Sequence, residues 1–287
     1  MTVKEAQQEL KTLMTQLYDA SEARGICRYV FEDYLLNGLS LSLNDSTMDV
    51  LLESQYNTVK EKLLEGIPVQ YVVGFAWFYG IKLKVNNTVL IPRPETEELV
   101  EWILEDTKNS SKEISCLDIG TGSGCIPIVL GLKNPKLKLS AVDVSESALI
   151  TAGRNAFRHN IDIDFSCIDI LDPVHQKKLL KFDIIVSNPP YISEAEKKIM
   201  HANVLDHEPH LALFVHNTKP LLFYETIADF AQTHLNVGGD LYFECNTFNA
   251  SDVKKMLESK NFSDIIIKKD MSENDRMIRA QFFSFEL

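Results

Sequence analysis

A strand-ending segment that carries an amide and an aromatic ring is the part of this sequence best suited to chemistry. Phe182–Ser187 is a short apolar run typical of a strand buried on both faces. Asn188, Pro189, Pro190 and Tyr191 follow it, and the two prolines cannot continue a sheet because neither has an N–H to donate. The alternative is an ordinary strand-ending turn. An amide, uncommitted carbonyls and an aromatic face at one point favour a site for a planar group that bears an NH2.

A second segment, Asp118 to Gly124, has the spacing Asp-x-Gly-x-Gly-x-Gly after a predicted strand. Glycines in such a loop let the backbone approach a ligand closely. The dinucleotide fingerprint is absent, because Cys125 stands three residues after Gly122 and Pro127 three after Gly124. No Gly-Lys-Ser/Thr follows either, which excludes a P-loop. An acid beside the glycines would repel a pyrophosphate and attract an ammonium, so the loop favours a cofactor that carries an amino acid.

Two more acids stand at the ends of the next predicted strands. Asp143 is placed to accept from both hydroxyls of a ribose, and Asp169 to accept from an adenine amino group, with Ile170 packed on the ring. Each acid alone is more often a helix cap or a solvated turn residue, but three beside one glycine loop predict a site for S-adenosylmethionine. The predicted cofactor residues are Asp118, Gly120, Thr121, Gly122, Ser123, Gly124, Asp143, Val144, Asp169, Ile170 and Asn188.

Together, the two segments predict methyl transfer to a planar nitrogen, with S-adenosylhomocysteine as the product. An amide or exocyclic amine is a poor nucleophile because its lone pair is delocalised. We expect Asn188 Oδ1 and the Pro189 carbonyl to accept its two hydrogens, which orients the nitrogen and stabilises its developing positive charge. Tyr191 would stack on the planar group. Arg93 and Glu95, in a proline-rich loop, are further candidates for lining the substrate pocket, or they pair with each other.

Strands and helices alternate from Ile114 onward, which predicts an α/β fold with a parallel sheet. Together with the predicted cofactor site, this indicates a fold of the S-adenosylmethionine-dependent methyltransferase type. We expect a Rossmann-like, mostly parallel seven-stranded sheet with helices on both faces and an antiparallel end. The predicted strands are Ile114–Ile119, Lys138–Val142, Ile163–Ile168, Phe182–Ser187, Gly239–Cys245, Phe262–Lys268 and Met277–Phe283. The predicted helices between them are Ile126–Leu132, Glu146–His159, Leu222–His234 and Ser251–Lys260.

Residues 1–70 are predicted to form a small helical bundle, since their apolar residues recur at helical spacing. The second helix is expected to end near Asn37–Gly38. Asp45–Ser46 are expected to cap a short helix, separate from the next one at Tyr56–Leu64. The bundle either presents the substrate, as a substrate-recognition domain, or is only a structural cap, and both interpretations stay open from these residues.

Aromatic and β-branched residues with interspersed glycines predict a β-hairpin linker over residues 71–92, with Val73 in its first strand. The methyltransferase domain then covers 93–287. Thr96 or Glu95 is expected to cap the first helix of that domain.

Composition limits the possible partners and compartments. The chain has 287 residues and a net charge of -12, which argues against stable nucleic-acid binding because the phosphate backbone attracts Lys and Arg. No apolar run approaches the ~20 residues of a membrane span. The 5 cysteines are scattered and lack metal-ligand spacing. We therefore expect a cytoplasmic monomer without a metal site or a membrane partner.

The motifs also resemble a known family, the HemK/PrmC-type protein glutamine N5-methyltransferases. The resemblance rests on Pro68–Gly74, on Val89–Glu97, on the glycine loop with Asn188–Tyr191, and on the helical N-terminal segment. Enzymes of this family modify the glutamine of the Gly-Gly-Gln tripeptide in peptide chain release factors. The resemblance implies cofactor contacts at Gly120–Gly124, Asp143, Ile170 and Asn188. It also implies that Asn188–Tyr191 hold the glutamine of a release factor.

Three other interpretations remain open from the sequence. The chemistry is shared with adenine-N6 methylation of nucleic acid, against which the acidic charge and the helical N-terminal segment weigh. A ribosomal-protein glutamine is a closer alternative substrate. A binding module with a degenerate cofactor site is the third, and the intact glycine loop and Asn-Pro-Pro-Tyr sequence argue against it.

Overall fold

The computed structural model describes residues 1–36, 46–193, 197, 202–215 and 219–283. The chain divides into two compact units. One contains Met1–Phe75 with His201–His207, and the other contains Ala76–Met200 with Glu208–Leu287. Sequence analysis did not anticipate that residues from the second half of the chain join the N-terminal helices.

The bounds of the elements within the described residues are as follows. The helices are α1 Val3–Met14, α2 Ala20–Arg28 continued by a π-helix at Tyr29–Leu35, α3 Val50–Leu64, α4 Val69–Val73, α5 Pro94–Thr107, α6 Cys125–Lys133, α7 Glu146–His159, α8 Pro173–Gln176, α9 Ala202–His207, α10 His210–Leu213, α11 Leu222–His234 and α12 Ala250–Ser259. The strands are β1 Phe75–Phe78, β2 Ile81–Lys84, β3 Ile114–Ile119, β4 Leu137–Asp143, β5 Asp164–Cys167, β6 Phe182–Ser187, β7 Ile192–Ser193, β8 Phe214–Val215, β9 Leu235–Glu244, β10 Phe262–Lys269 and β11 Asp275–Phe282. None of these helices has the length and apolar character needed to cross a bilayer.

The N-terminal unit has a hydrophobic core of its own. Helix α1 buries Ala6, Leu10 and Met14 on one stripe, as the helical spacing predicts. Tyr56 of α3 is fully buried in the same core, and its hydroxyl donates to Glu9 Oε2 at 2.6 Å. The Tyr56 hydroxyl therefore has a hydrogen-bond partner, while the Tyr56 ring packs among the helices of the core.

The predicted short helix that ends before Tyr56 is wrong. Residues 50–64 form the single helix α3, and its N-cap is Asp49, whose side chain accepts from Leu52 N at 2.8 Å. This carboxylate satisfies a backbone N–H that the first turn leaves unpaired, so the helix starts there and runs on. Ser46, the described half of the predicted Asp45–Ser46 cap, caps no helix. Asp45 and the predicted helix end at Asn37–Gly38 lie outside the described residues.

The predicted hairpin begins later than expected, because Val73 is helical. Residues 69–73 form α4, which follows Pro68 at its N-cap and ends at Gly74 with a φ of 79°. This left-handed conformation suits glycine and closes the helix. Strands β1 and β2 then pair with each other as a two-stranded sheet.

The larger unit contains the mostly parallel seven-stranded sheet that the sequence predicts. Its strand order is β10-β11-β9-β6-β3-β4-β5, in which β11 runs antiparallel to both of its neighbours and the other pairs are parallel. The predicted fold class and antiparallel end are therefore confirmed.

Helices cover both faces of this sheet, and strand β6 shows why. Ile185 points to the core that contains residues of α11 and α12, while Ile184 and Val186 point to the core that contains residues of α5, α6 and α7. All three side chains are at most 4% exposed. A strand buried on both faces reads as a continuous apolar run, which is why its bounds are predicted correctly.

Replacement of Gly239 by alanine is expected to destabilise the larger unit. A Cβ at Gly239 would lie 2.8 Å from the Asp183 carbonyl oxygen and 2.9 Å from that of Asn236, and backbone atoms cannot easily yield. We expect a loss of about 1–3 kcal/mol, measured as a thermal midpoint several degrees lower. The control is Gly153→Ala in α7, where a Cβ meets nothing within 4 Å, so stability should hold or rise. Equal midpoints for the two variants would contradict the packing argument.

Candidate active site

The carboxyl ends of four parallel strands meet at one edge of the sheet. Strands β6, β3, β4 and β5 are adjacent, and the chain moves outward from β3 to β5 before it returns to β6 on the other side of β3. Open parallel sheets bind ligands at this switch point. Gly120–Gly124, Asp143, Asp169 and Asn188 each follow or end one of these strands, so the predicted residues converge at this edge.

The glycine loop adopts a conformation that other residues avoid. Gly120, Gly122 and Gly124 have φ values of 77°, 55° and 79°. A Cβ at Gly124 would also lie 3.2 Å from the Ala152 Cβ of α7. The spacing of the glycines thus reflects backbone geometry at three positions and close helix packing at the third.

Asp143, the last residue of β4, binds the glycine loop through a hydrogen bond. Its Oδ2 accepts from Gly122 N at 2.9 Å, and its Oδ1 accepts from Ser145 N at 2.9 Å. Burial raises the pKa of the carboxyl, and the backbone N–H groups of Ser145 and Gly122 oppose that rise. Each carboxylate oxygen retains capacity for a further hydrogen bond.

Asp118 is a buried acid that lacks a hydrogen-bond partner within the described part of the chain. Its side chain is 1% exposed, and both carboxylate oxygens are unpaired there. Burial raises its pKa to about 7; the nearby Thr121 hydroxyl opposes that rise, although its geometry falls short of a hydrogen bond, and Asp143 adds a smaller rise. Thr121 Oγ1 and Ser123 Oγ are likewise buried without a partner among the described residues. Such groups fit a ligand that offers both donors and acceptors, as the amino-acid end of S-adenosylmethionine does.

A cleft with an empty volume of about 830 Å³, partly open to solvent, lies at this edge. Its mostly apolar lining is typical of small-molecule sites. The predicted residues that line it are Gly120, Gly122, Asp143, Val144, Asp169, Ile170, Asn188, Pro189 and Pro190. The predicted residues outside the described lining are Asp118, Thr121, Ser123, Gly124, Tyr191, Arg93 and Glu95.

Sequence reasoning missed part of the lining. The missed residues are Val89, Leu90, Ile119, Ser145, Ile168, Ser187, Pro209, Leu211, Ala212, Phe223 and Ile227. Ile119, Ile168 and Ser187 are the last residues of predicted strands, so the rule that placed the acids would have found them. Phe223 and Ile227 lie on α11, where no sequence signal marks them.

Asn155 is a supporting residue that sequence reasoning also missed. This fully buried side chain donates from Nδ2 to the Ser123 carbonyl at 2.9 Å and to the Lys84 carbonyl at 3.0 Å. Its Oδ1 accepts from Lys84 N at 2.7 Å. A polar residue on the buried face of an amphipathic helix is the available signal, because burial demands partners for it.

Asn188 is held by a residue that was predicted to cap a helix. The Asn188 Nδ2 donates to Thr96 Oγ1 at 3.2 Å, and Thr96 Oγ1 donates to Glu244 Oε2 at 2.5 Å. Helix α5 starts earlier, with Pro94 in its first turn and Arg93 at the N-cap, and neither Thr96 nor Glu95 caps it. The capping prediction is wrong because proline begins the helix with no N–H to satisfy.

Arg93 and Tyr191, two predicted substrate residues, make contacts that the sequence did not predict. The Arg93 guanidinium pairs with the buried Glu208 at 2.6 Å, so a pair with Glu95 is not what the structure contains. Glu208 also accepts from Ile91 N at 3.3 Å, which ties this loop down. The Tyr191 hydroxyl donates to Glu244 Oε1 at 3.3 Å. A role for Arg93, Glu95 or the Tyr191 ring in substrate binding stays a prediction.

Comparison with known proteins identifies the family. Residues 96–212 match the model of the methyltransferase small domain. A release factor glutamine methyltransferase from Flavobacterium psychrophilum is 42% identical over 286 residues, which span 98% of this chain and 100% of the relative. The chain belongs to the release factor glutamine methyltransferase family. A family member from Bacteroides thetaiotaomicron is 36% identical over 94% of this chain and 97% of its own length.

Solved structures support the fold independently of the family. A methyltransferase from Pyrococcus furiosus matches with a TM-score of 0.51 at 18% identity, over 72% of this chain and 91% of its own. The human methyltransferase 10 domain containing protein matches with a TM-score of 0.52 at 16% identity, over 72% and 91%. Both comparisons show that this part of the chain has the fold of methyltransferases.

Proposed function

We propose that this protein transfers a methyl group from S-adenosylmethionine to the side-chain amide nitrogen, N5, of the Gly-Gly-Gln glutamine in peptide chain release factors. The observation that carries the proposal is the position of Asn188 and Pro189, which line a cleft at the switch point of the sheet beside the glycine loop. The substrate class follows from relatives that match almost the whole chain.

The cleft residues fit the cofactor in three parts. Asp143 would accept from the ribose hydroxyls with its remaining lone pairs, and Asp169 with Ile170 would receive the adenine. The glycine loop, with the unpaired Asp118 behind it, would take the amino-acid end. When bound, S-adenosylmethionine supplies an electrophilic methyl group on a sulfonium centre.

The protein's own contribution is orientation and charge stabilisation. Asn188 Oδ1 and the Pro189 carbonyl would accept the two hydrogens of the glutamine amide, which fixes the nitrogen and places partial negative charge next to it. Tyr191 and the rigid prolines would limit the pocket around the planar amide. The methylated nitrogen, which carries a positive charge after transfer, then releases one hydrogen to solvent as a proton, so this arrangement needs no strong general base.

The N-terminal helical unit is proposed to contribute to recognition of the release factor. We further propose a cytoplasmic monomer that does not bind nucleic acid stably, as a net charge of -12 and scattered cysteines suggest.

Labelled methyl transfer tests the substrate: parallel reactions offer release factor, ribosomal protein, DNA and RNA. Label in the release factor alone supports the proposal. Label only in another substrate overturns it and leaves the chemistry standing, and absence of cofactor binding by calorimetry favours a binding module.

Cofactor affinity is expected to rise with pH because of Asp118. Its pKa of about 7 means that the carboxyl is mostly protonated at pH 5.5 and half ionised at pH 7. The ionised form attracts an ammonium, so affinity for S-adenosylhomocysteine should increase roughly tenfold between these pH values. Calorimetry measures the change, with Asp118→Asn as the control that should lose most of it. The same pH slope in both proteins would contradict this assignment.

A further inference from the structure

Glu244 is a fully buried carboxylate at the end of β9, beside β6 and outside the described lining of the cleft. Its Oε2 accepts from Thr96 Oγ1 at 2.5 Å and its Oε1 from the Tyr191 hydroxyl at 3.3 Å. A buried charge is costly and persists only where it is paired and hydrogen-bonded. These contacts connect Glu244 with two residues of the proposed site, Asn188 through Thr96 and Tyr191 directly.

With Glu244 ionised, the number of available hydrogens gives one direction for these hydrogen bonds, from Asn188 through Thr96 to Glu244. A threonine hydroxyl has one hydrogen, and Thr96 donates it to Glu244. Thr96 Oγ1 can then only accept from Asn188, whose group on that side must be the NH2. An Asn188 oxygen in that place would face another acceptor. The amide is thereby oriented with Nδ2 toward Thr96 and Oδ1 away from it.

We propose that Thr96 and Glu244 are positioning residues that hold Asn188 with its oxygen available to the substrate amide, an inference that rests on the proposed function. If the side-chain amide of Asn188 were rotated by half a turn, its NH2 would face the NH2 of the substrate. Neither group could then accept a hydrogen bond from the other. The hydrogen bonds that link Glu244, Thr96 and Asn188 thus leave Asn188 Oδ1, the acceptor that methyl transfer to an amide requires, free to face the substrate.

This direction needs the ionised form of Glu244, which three neighbouring groups stabilise against a pKa that burial raises. Burial raises the pKa of Glu244, and nearby Glu95 raises it further. The hydroxyls of Thr96 and Tyr191 and the charge of Arg276 oppose that rise. Arg276 is itself held by Asp270, at 3.2 Å from its Nε. The cation therefore stays close to the carboxylate.

The test uses the full chain with Thr96→Val, Thr96→Ser and Glu244→Gln. Valine keeps the shape of threonine without the hydroxyl, while serine keeps the hydroxyl. We expect Thr96→Val and Glu244→Gln to lower kcat for release factor by about tenfold or more, with the cofactor Kd and the KM within about threefold. Thr96→Ser should stay within about threefold of the wild type in kcat. A thermal midpoint for each variant shows that it is folded.

A second readout is independent of the substrate. The side-chain NH2 signals of Asn188 in NMR spectra, assigned with Asn188→Ala, should show a hydrogen-bonded proton in the wild type and in Thr96→Ser. Thr96→Val should lose it. Unchanged kcat or unchanged Asn188 signals in Thr96→Val would overturn the positioning role. A wild-type protein that does not methylate release factor would instead overturn the proposed function, and the NMR comparison would still decide the inference.

Discussion

Replacement of Asn188 by alanine is expected to abolish most methyl transfer while cofactor affinity stays within about tenfold, or ~1.4 kcal/mol. The variant removes the side-chain oxygen that would accept from the substrate amide, and the Pro189 carbonyl alone cannot orient the nitrogen. Asn188 lines the cleft together with many other residues, so the cofactor loses only one contact. Single-turnover transfer and calorimetry measure the two quantities separately.

The control for Asn188→Ala is Asn87→Ala, the same change at an exposed position in the larger unit. This variant should retain wild-type turnover and affinity. Parallel losses of cofactor binding and turnover in Asn188→Ala would contradict the orienting role, because they would show that Asn188 acts through the cofactor.

Replacement of Asp143 by alanine is expected to have the opposite profile, with cofactor affinity reduced by tenfold or more. The carboxylate contributes twice, since it would accept from the ribose and already accepts from Gly122 N and Ser145 N. Loss of about 1.5–3 kcal/mol is typical for hydrogen bonds to a charged group. Calorimetry with S-adenosylhomocysteine gives the dissociation constant.

Asp143→Asn tests the carboxylate while it keeps the shape of the side chain. Asparagine keeps the shape but replaces one acceptor oxygen by a donor, so it should bind the cofactor more weakly than the wild type and perturb the loop. At saturating cofactor, turnover of both variants should recover substantially. An unchanged dissociation constant in Asp143→Ala would contradict the ribose assignment.

The parts of the site that follow strands were predictable from the sequence. Buried strands read as apolar runs, and parallel strands end at one edge, so Asp143, Asp169 and Asn188 converge as expected. The glycine spacing likewise reports φ values that only glycine adopts readily. These features depend on local residue type and on one rule of sheet topology.

The remaining parts depend on tertiary contacts that local pattern does not encode. Thr96 has a residue type that often caps helices, yet its hydroxyl donates to Glu244, which lies 148 positions away in the sequence. Arg93 has an acid two positions on, yet it pairs with Glu208. Tertiary packing decides which distant buried polar groups become hydrogen-bond partners. Sequence analysis therefore identified Thr96 and Arg93 as candidates but not the contacts that they make.

The most direct test of the account is transfer of labelled methyl from S-adenosylmethionine to purified release factor, beside a twin factor in which the Gly-Gly-Gln glutamine is replaced by asparagine. The account predicts label in the intact factor and none in the twin, because the amide nitrogen at that one side chain is the acceptor. Equal label in both factors would contradict the central claim, since methyl transfer would then occur at another position.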